Sequence, residues 1–150
     1  MFEHFTDHAR AVLQLEGIEA QRMHHAYLGT EHLLLGLIRE PEGHGHRALQ
    51  NLNVDLKLVR QAVRKLAQKG PSTDIPDRLP HTQHFQHVIR VAIQEARALK
   101  SPDVGTEHLL LALLQETDGV AVRALEKINV KAQTVRDEIL RMLEEEQAAV

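Results

Sequence analysis

The chain has no cysteine and no tryptophan, and only 3% of its residues are aromatic. Without cysteine there is no disulfide framework, no thiolate nucleophile and no zinc ribbon, and the composition agrees with a reducing compartment. With so few aromatics the core must be built from Leu, Val, Ile and Ala, which suits helix-on-helix packing. No excess of basic charge exists either. Eighteen Lys and Arg stand against 21 Asp and Glu, for a formal charge of −3, and the cations are dispersed among the acids, so nucleic acid is not an expected partner. No run of apolar residues is long enough to span a bilayer, and the opening MFEHFTDHAR carries charge where a signal peptide needs an apolar stretch. A cytoplasmic location without membrane association is the expectation. Finally, GxxxxGK[ST], GxSxG and HExxH are all missing, so the chain cannot itself be an ATPase and reads as a binding module with no catalytic residues and no cofactor.

What is present is a repeat, together with a 43% hydrophobic content that suffices for a core. GTEHLLLGL at Gly29 to Leu37 recurs as GTEHLLLAL at Gly105 to Leu113, 76 positions later. Without a gap, the same offset matches Thr6 to Thr82, Val12 to Val88, Glu19 to Glu95, Glu40 to Glu116, Gly43 to Gly119, Asn53 to Asn129 and Val59 to Val135. Between the copies GPSTDIPDRLP holds three of the five prolines and marks a turn or linker. The organisation is therefore a first repeat over 1–69, a linker over 70–80 and a second repeat over 81–150.

Helical spacing runs through each copy. In the first, Thr6 caps a helix to about His24, with Ala9, Val12, Leu13, Ile18 and Ala20 as its inward stripe. Thr30 caps a second helix to about Glu40, a short third covers Arg47 to Leu52, and Asp55 caps a fourth over Leu56 to Lys69. The second copy repeats this as Thr82 to Lys100, Thr106 to Glu116, Val120 to Lys127 and Ala132 to about Glu146. A four-helix unit of this length is near the lower limit for its own core, so the two should pack as one body. The expected fold class is all-α, two tandem four-helix repeats related by a pseudo-two-fold axis.

Two readings attach to GTEH. In one, glycine provides the turn, threonine accepts from the first free helical N–H groups, and the first-turn glutamate gains up to about 1 kcal/mol from the helix dipole. In the other, Glu31 and Glu107 project as exposed carboxylates able to hold a guanidinium in a bidentate pair. A phosphate carried with that guanidinium would then sit on the helix starts at Thr6 or Thr82. Leu33, Leu34, Leu35, Leu37 and Ile38 read as core. Phe2, Phe5 and Leu79 are candidates for an apolar adaptor or peptide surface, against the alternative that Phe5 packs just ahead of its cap. Eleven histidines, His4, His8, His44, His46, His81, His84 and His87 among them, form short-spaced groups that could attract a transition metal. No carboxylate stands at a matching spacing, and solvated surface histidines are the expectation.

FTDHARAVLQLEGIEAQRMHHAYLGTEHLLLGLIRE, followed by VIRVAIQEARALKSPDVGTEHLLLALLQE, resembles the double Clp-N repeat, in particular the ClpC branch of AAA+ unfoldases, over essentially the whole chain. The resemblance implies an all-α domain ahead of ATPase modules on a hexameric unfoldase. Such a domain binds adaptor proteins and unfolded or tagged substrates for delivery to a ClpP-like peptidase. It further implies phosphoarginine recognition through Glu31, Glu107, Thr6 and Thr82. The chain departs from the family where Thr82 is followed by Gln83, His84, Phe85, Gln86 and His87 instead of a cationic stretch, and where His8 stands in place of a common arginine. Imidazoles there would weaken a phosphate site at neutral pH, and the second site would be the weaker. A free-standing Clp-N protein that regulates an unfoldase in trans, and a histidine-based metal-binding protein, are the other readings.

Overall fold

A computed structural model describes residues 2–67 and 78–149, and among them eight α-helices follow one another. They are α1 (Asp7–Arg22), α2 (Thr30–Arg39), α3 (His44–Asn51), α4 (Leu56–Leu66), α5 (Gln83–Ala98), α6 (Thr106–Leu113), α7 (Val120–Lys127) and α8 (Ala132–Ala148). Most of the 70–80 linker lies outside the described residues, as does the expected end of α4 beyond Leu66.

Local chemistry sets the helix ends. Thr6 and Thr82 cap α1 and α5, their hydroxyls accepting from the Ala9 and Phe85 amides at 3.1 Å, and Asp55 caps α4 through the Lys57 amide. Helices α1 and α5 end on His24 and Lys100, both at φ 57°, with the next amide returning to the Ala20 or Ala96 carbonyl at 2.9 Å. That is the left-handed termination that closes orphan carbonyls. Asn53 and Asn129 turn the chain with φ of 59° and 63°, a conformation asparagine tolerates well. Helix α3 starts at His44, three residues before the expected Arg47, because Glu40 Oε1 accepts from the Glu42 and Gly43 amides at 2.8 and 2.7 Å and holds the entry to that helix.

The two repeats interlock rather than sit side by side. Helices α2 and α6 form the centre, with Leu33, Leu34, Leu35, Leu37, Leu109, Leu110, Leu111 and Leu113 fully buried. Within each repeat α1 lies on α2 and α5 on α6; across the axis α4 lies on α7, α8 on α3, α2 on α7 and α3 on α6. Two isolated parallel bridges complete the symmetry, Phe5 with Val104 and Leu28 with His81. In them the Thr6 amide donates to the Val104 carbonyl and the Thr82 amide to the Leu28 carbonyl, both at 2.9 Å. Ile18, expected to face inward, is 50% exposed on α1. Its helix meets the core along Ala9, Val12, Glu16, Glu19 and Ala20 instead.

Thr30 and Thr106 do not cap their own helices. The cap positions are Gly29 and Gly105, whose amides donate to Nδ1 of His32 and His108 at 2.9 and 2.8 Å. The threonine hydroxyls reach across the axis: Thr106 Oγ1 accepts from the Gly45 amide at 2.9 Å and Thr30 Oγ1 from the Ala121 amide at 3.3 Å. Each therefore satisfies a first-turn N–H of the other repeat's third helix. Thr106→Val should cost about 1 kcal/mol in chemical denaturation, as loss of an N-cap does. Thr30→Val, which breaks the longer bond, should cost less, and equal losses would contradict this capping.

Candidate functional site

The bridges decide which helix start faces which carboxylate. Thr6 is tied to Val104, three residues before Glu107, and Thr82 to Leu28, three residues before Glu31. Each glutamate thus shares its corner with the cap threonine of the other repeat and not with that of its own, so the corners are crossed. The histidines after Thr82 accordingly belong to the corner of Glu31, and His8 to that of Glu107. The expectation that these histidines weaken the Glu107 site is corrected with it.

Neither carboxylate projects freely, contrary to the reading of both as exposed guanidinium holders. Glu31 is buried, at 2% exposure, and accepts from the Tyr27 hydroxyl at 3.0 Å. Burial, and then the charge and hydrogen bond of Glu31, push the Tyr27 phenol up, so it stays protonated. Glu107 keeps 13% of its side chain exposed and lies 3.2 Å from Nδ1 of His44, whose Nε2 is 2.8 Å from Glu146 on α8. The hydrogen bond to Glu107 is the main cause that pushes His44 up to about 9, burial opposing it and Glu146 adding to it. Burial works against the charge of Glu107, but the His44 hydrogen bond, His108 and a backbone donor outweigh it and hold the carboxyl below the usual range. Glu107 also lines a groove of about 610 Å³ between the residues after α5 and the last turns of α8, with Leu99, Leu140 and Leu143 as its apolar side.

The histidines that follow the two cap threonines are engaged as well. His8 Nδ1 is 3.2 Å from Glu40, and at the equivalent place Glu116 meets Nδ1 of His84 at 2.7 Å and also contacts His87. Burial would raise Glu116, but the hydrogen bonds of His87 and His84 bring it down. These side chains are about half exposed, so they are surface histidines held by the protein's own carboxylates rather than merely solvated. His25 and His32 are buried outright.

His25, Glu31 and His32 bring one ligand atom each within 4.8 Å of the others. Protonation argues against a metal there. His32 Nδ1 accepts from the Gly29 amide, and burial, then His25, pushes His32 down to about 3. The neutral ring must then carry its proton on Nε2, which lies 2.8 Å from Nδ1 of His25. A metal would need that nitrogen and leave an imidazolate behind. The cluster is a hydrogen-bond network, on which Tyr27 stacks against His25.

Of the apolar candidates, Phe5 is 3% exposed and meets Phe2 edge-on, so it belongs to the core and not to a docking surface. Its place just before the cap and its bridge to Val104 bury it. Phe2 is half-buried and lines a groove of about 480 Å³ on α5 with His81, Phe85, Ile89, Arg90 and Ile93. Leu79 is half-buried outside that groove. Tyr27, His44, Glu116 and Glu146 were not singled out from the sequence as parts of these corners. The signal for two of them was available in the repeat, since Tyr27 and His44 align with Asp103 and Val120 and so break its symmetry.

A family model described as Clp repeat (R) N-terminal domain matches residues 4–90 and 81–150. A probable ATP-dependent Clp protease ATP-binding subunit of Chlamydia pneumoniae is 42% identical over 144 residues, covering 96% of this chain and 17% of that protein. The chloroplastic chaperone protein ClpC1 of Oryza sativa subsp. japonica is 39% identical over 150 residues, covering 100% of this chain and 16% of the relative. The chain thus spans about a sixth of the length of such relatives. Among solved structures, the N-terminal domain of the chaperone ClpD of Arabidopsis thaliana superposes with a TM-score of 0.79 at 22% identity, covering 96% of this chain and 97% of that one. A ClpV N-domain in complex with a VipB peptide superposes with a TM-score of 0.68 at 13% identity, covering 90% and 84%. No helix among the described residues is long and apolar enough to cross a membrane.

Proposed function

Because the chain belongs to the family of Clp repeat N-terminal domains, we propose that it is the substrate- and adaptor-binding domain of a ClpC-type unfoldase that works with a ClpP-like peptidase, and that it captures phosphoarginine-tagged proteins. It is a binding module, and ATP hydrolysis belongs to ATPase modules acting with it. The observation that carries the ligand reading is the crossed corner: a carboxylate from one repeat shares its place with the capped helix start of the other. The carboxylate suits a guanidinium, and the helix start, with its cap hydroxyl and partial positive charge, suits the attached phosphate. To take a guanidinium, Glu31 would exchange a neutral phenol and Glu107 an imidazole. The apolar groove bordered by Phe2 and Phe85, with Arg90 on its edge, supports an adaptor or unfolded segment as a second partner; a domain of the same fold, the ClpV N-domain, is known in complex with a VipB peptide.

Titration with a short peptide bearing one phosphoarginine tests the ligand reading. Glu31→Gln combined with Glu107→Gln should weaken binding by about 100-fold or more, as loss of a desolvated charge partner does, while the circular dichroism melt stays near wild type. Undiminished affinity in the double variant would place the ligand elsewhere on the domain.

A further inference from the structure

The two corners differ at one position that the repeat itself exposes. Where α7 begins with Val120, α3 begins with His44. Nδ1 of His44 faces Glu107 at 3.2 Å and Nε2 faces both oxygens of Glu146 at 2.8 Å. With a carboxylate on each ring nitrogen, only the doubly protonated imidazolium donates to both. We propose that His44 is an internal competitor for Glu107, a cation of the protein's own that occupies the carboxylate a guanidinium ligand needs, so that capture at this corner releases a proton. The inference rests on the guanidinium reading of Glu31 and Glu107 given above.

The surroundings of His44 fit this role. Glu107 and His108 face it from α6 and Glu146 from α8; on its own helix Arg47 shares Glu146 at 3.4 Å. Glu40, at the entry to α3, is taken by the Gly43 amide and His8. A guanidinium on Glu107 would remove one of the two acceptors of the imidazolium and set a like charge beside it. Both changes lower its hold on the proton. His44 is pushed up to about 9 in the free protein, so affinity at this corner must rise with pH between the ordinary imidazole range and that value. The Glu31 corner, plugged by a neutral phenol, lacks this coupling. The two carboxylates are therefore unequal in how their occupation by a guanidinium depends on pH.

The experiment uses Glu31→Gln protein, in which only the Glu107 corner remains, and calorimetric titration with the same phosphoarginine peptide. Affinity should rise at least about tenfold from about pH 7 to about pH 9, with a proton released on binding. Adding His44→Val, the residue of the other repeat, should tighten binding at least about tenfold at about pH 7 and flatten the profile. A flat profile with no gain from His44→Val overturns the inference and leaves the guanidinium reading standing. Absence of binding to either corner in every variant and at every pH overturns both. An NMR titration of the His44 ring without ligand is an independent measure. Retention of the proton beyond about pH 8, lost in Glu107→Gln, supports the inference; titration near about 6.5 in both proteins overturns it.

Discussion

Replacing Glu19 with alanine should destabilise the domain by about 3 to 5 kcal/mol, the largest loss expected from any single polar substitution here. Glu19 is fully buried on α1, where it accepts from Arg39 of α2 at 3.3 Å and from Arg60 of α4. The carboxylate thus joins three helices, and its two guanidiniums keep only 27% and 17% of their side-chain exposure. Removal strands two poorly hydrated cations beside each other, and that repulsion outweighs whatever the pair adds when intact. For a domain of this size the melting temperature should fall by roughly 10 °C. The second repeat provides the control. Glu95 accepts from the neutral, exposed Gln115 at 2.6 Å, so Glu95→Ala should cost about 1 kcal/mol. Equal losses at the two positions would show that the buried charge triad is not what distinguishes Glu19.

The opposite sign is expected at Glu16. It is 2% exposed on α1, its Oε2 has no hydrogen-bond partner among the described residues, and burial pushes its carboxyl well above the ordinary range. A carboxyl whose folded value is raised stabilises the fold fully below the unfolded value, and that contribution is lost as pH rises toward the folded value. Glu16→Leu should therefore stabilise the protein by about 1 to 3 kcal/mol near pH 7, the usual cost of an unsatisfied buried polar group. Glu16→Gln, which keeps the shape and cannot ionise, should recover the pH-dependent part alone. Urea denaturation at about pH 4 and about pH 8 separates the two, because the gain from Glu16→Gln should be larger at the higher pH. A gain independent of pH would mean that ionisation of Glu16 does not burden the fold. The aligned residue in the second repeat is Ala92, so that helix pair already packs without a carboxyl.

The substitutions at Glu19, Glu16 and His44 fall where the two copies differ or carry different partners. A repeat read from sequence reveals what the copies share, and shared positions are mostly core. The inequality of the two corners is carried by Tyr27 and His44, which a comparison of the copies could have flagged as breaks in the pattern. Their contacts could not have been read that way. Tyr27 reaches Glu31 within one turn of chain, but His44 meets Glu107 and Glu146 at separations that only packing of α3 on α6 and α8 brings together.

By itself the sequence determined the all-helical class, the two-fold repetition and the order of helices, and it located the helix starts at Thr6, Thr82 and Asp55. These follow from apolar spacing and from bonds closed within one turn, which are local and therefore legible. Tertiary structure alone decided that Thr30 and Thr106 cap helices of the opposite repeat, that Thr6 belongs with Glu107 and Thr82 with Glu31, that Ile18 faces outward, and that Glu31 and Glu107 each already hold a partner from the protein. A hydroxyl or carboxylate at a helix start has the same local chemistry whether its partner is in its own turn or across a pseudo-two-fold axis. Only the crossing of the repeats settles which one it meets.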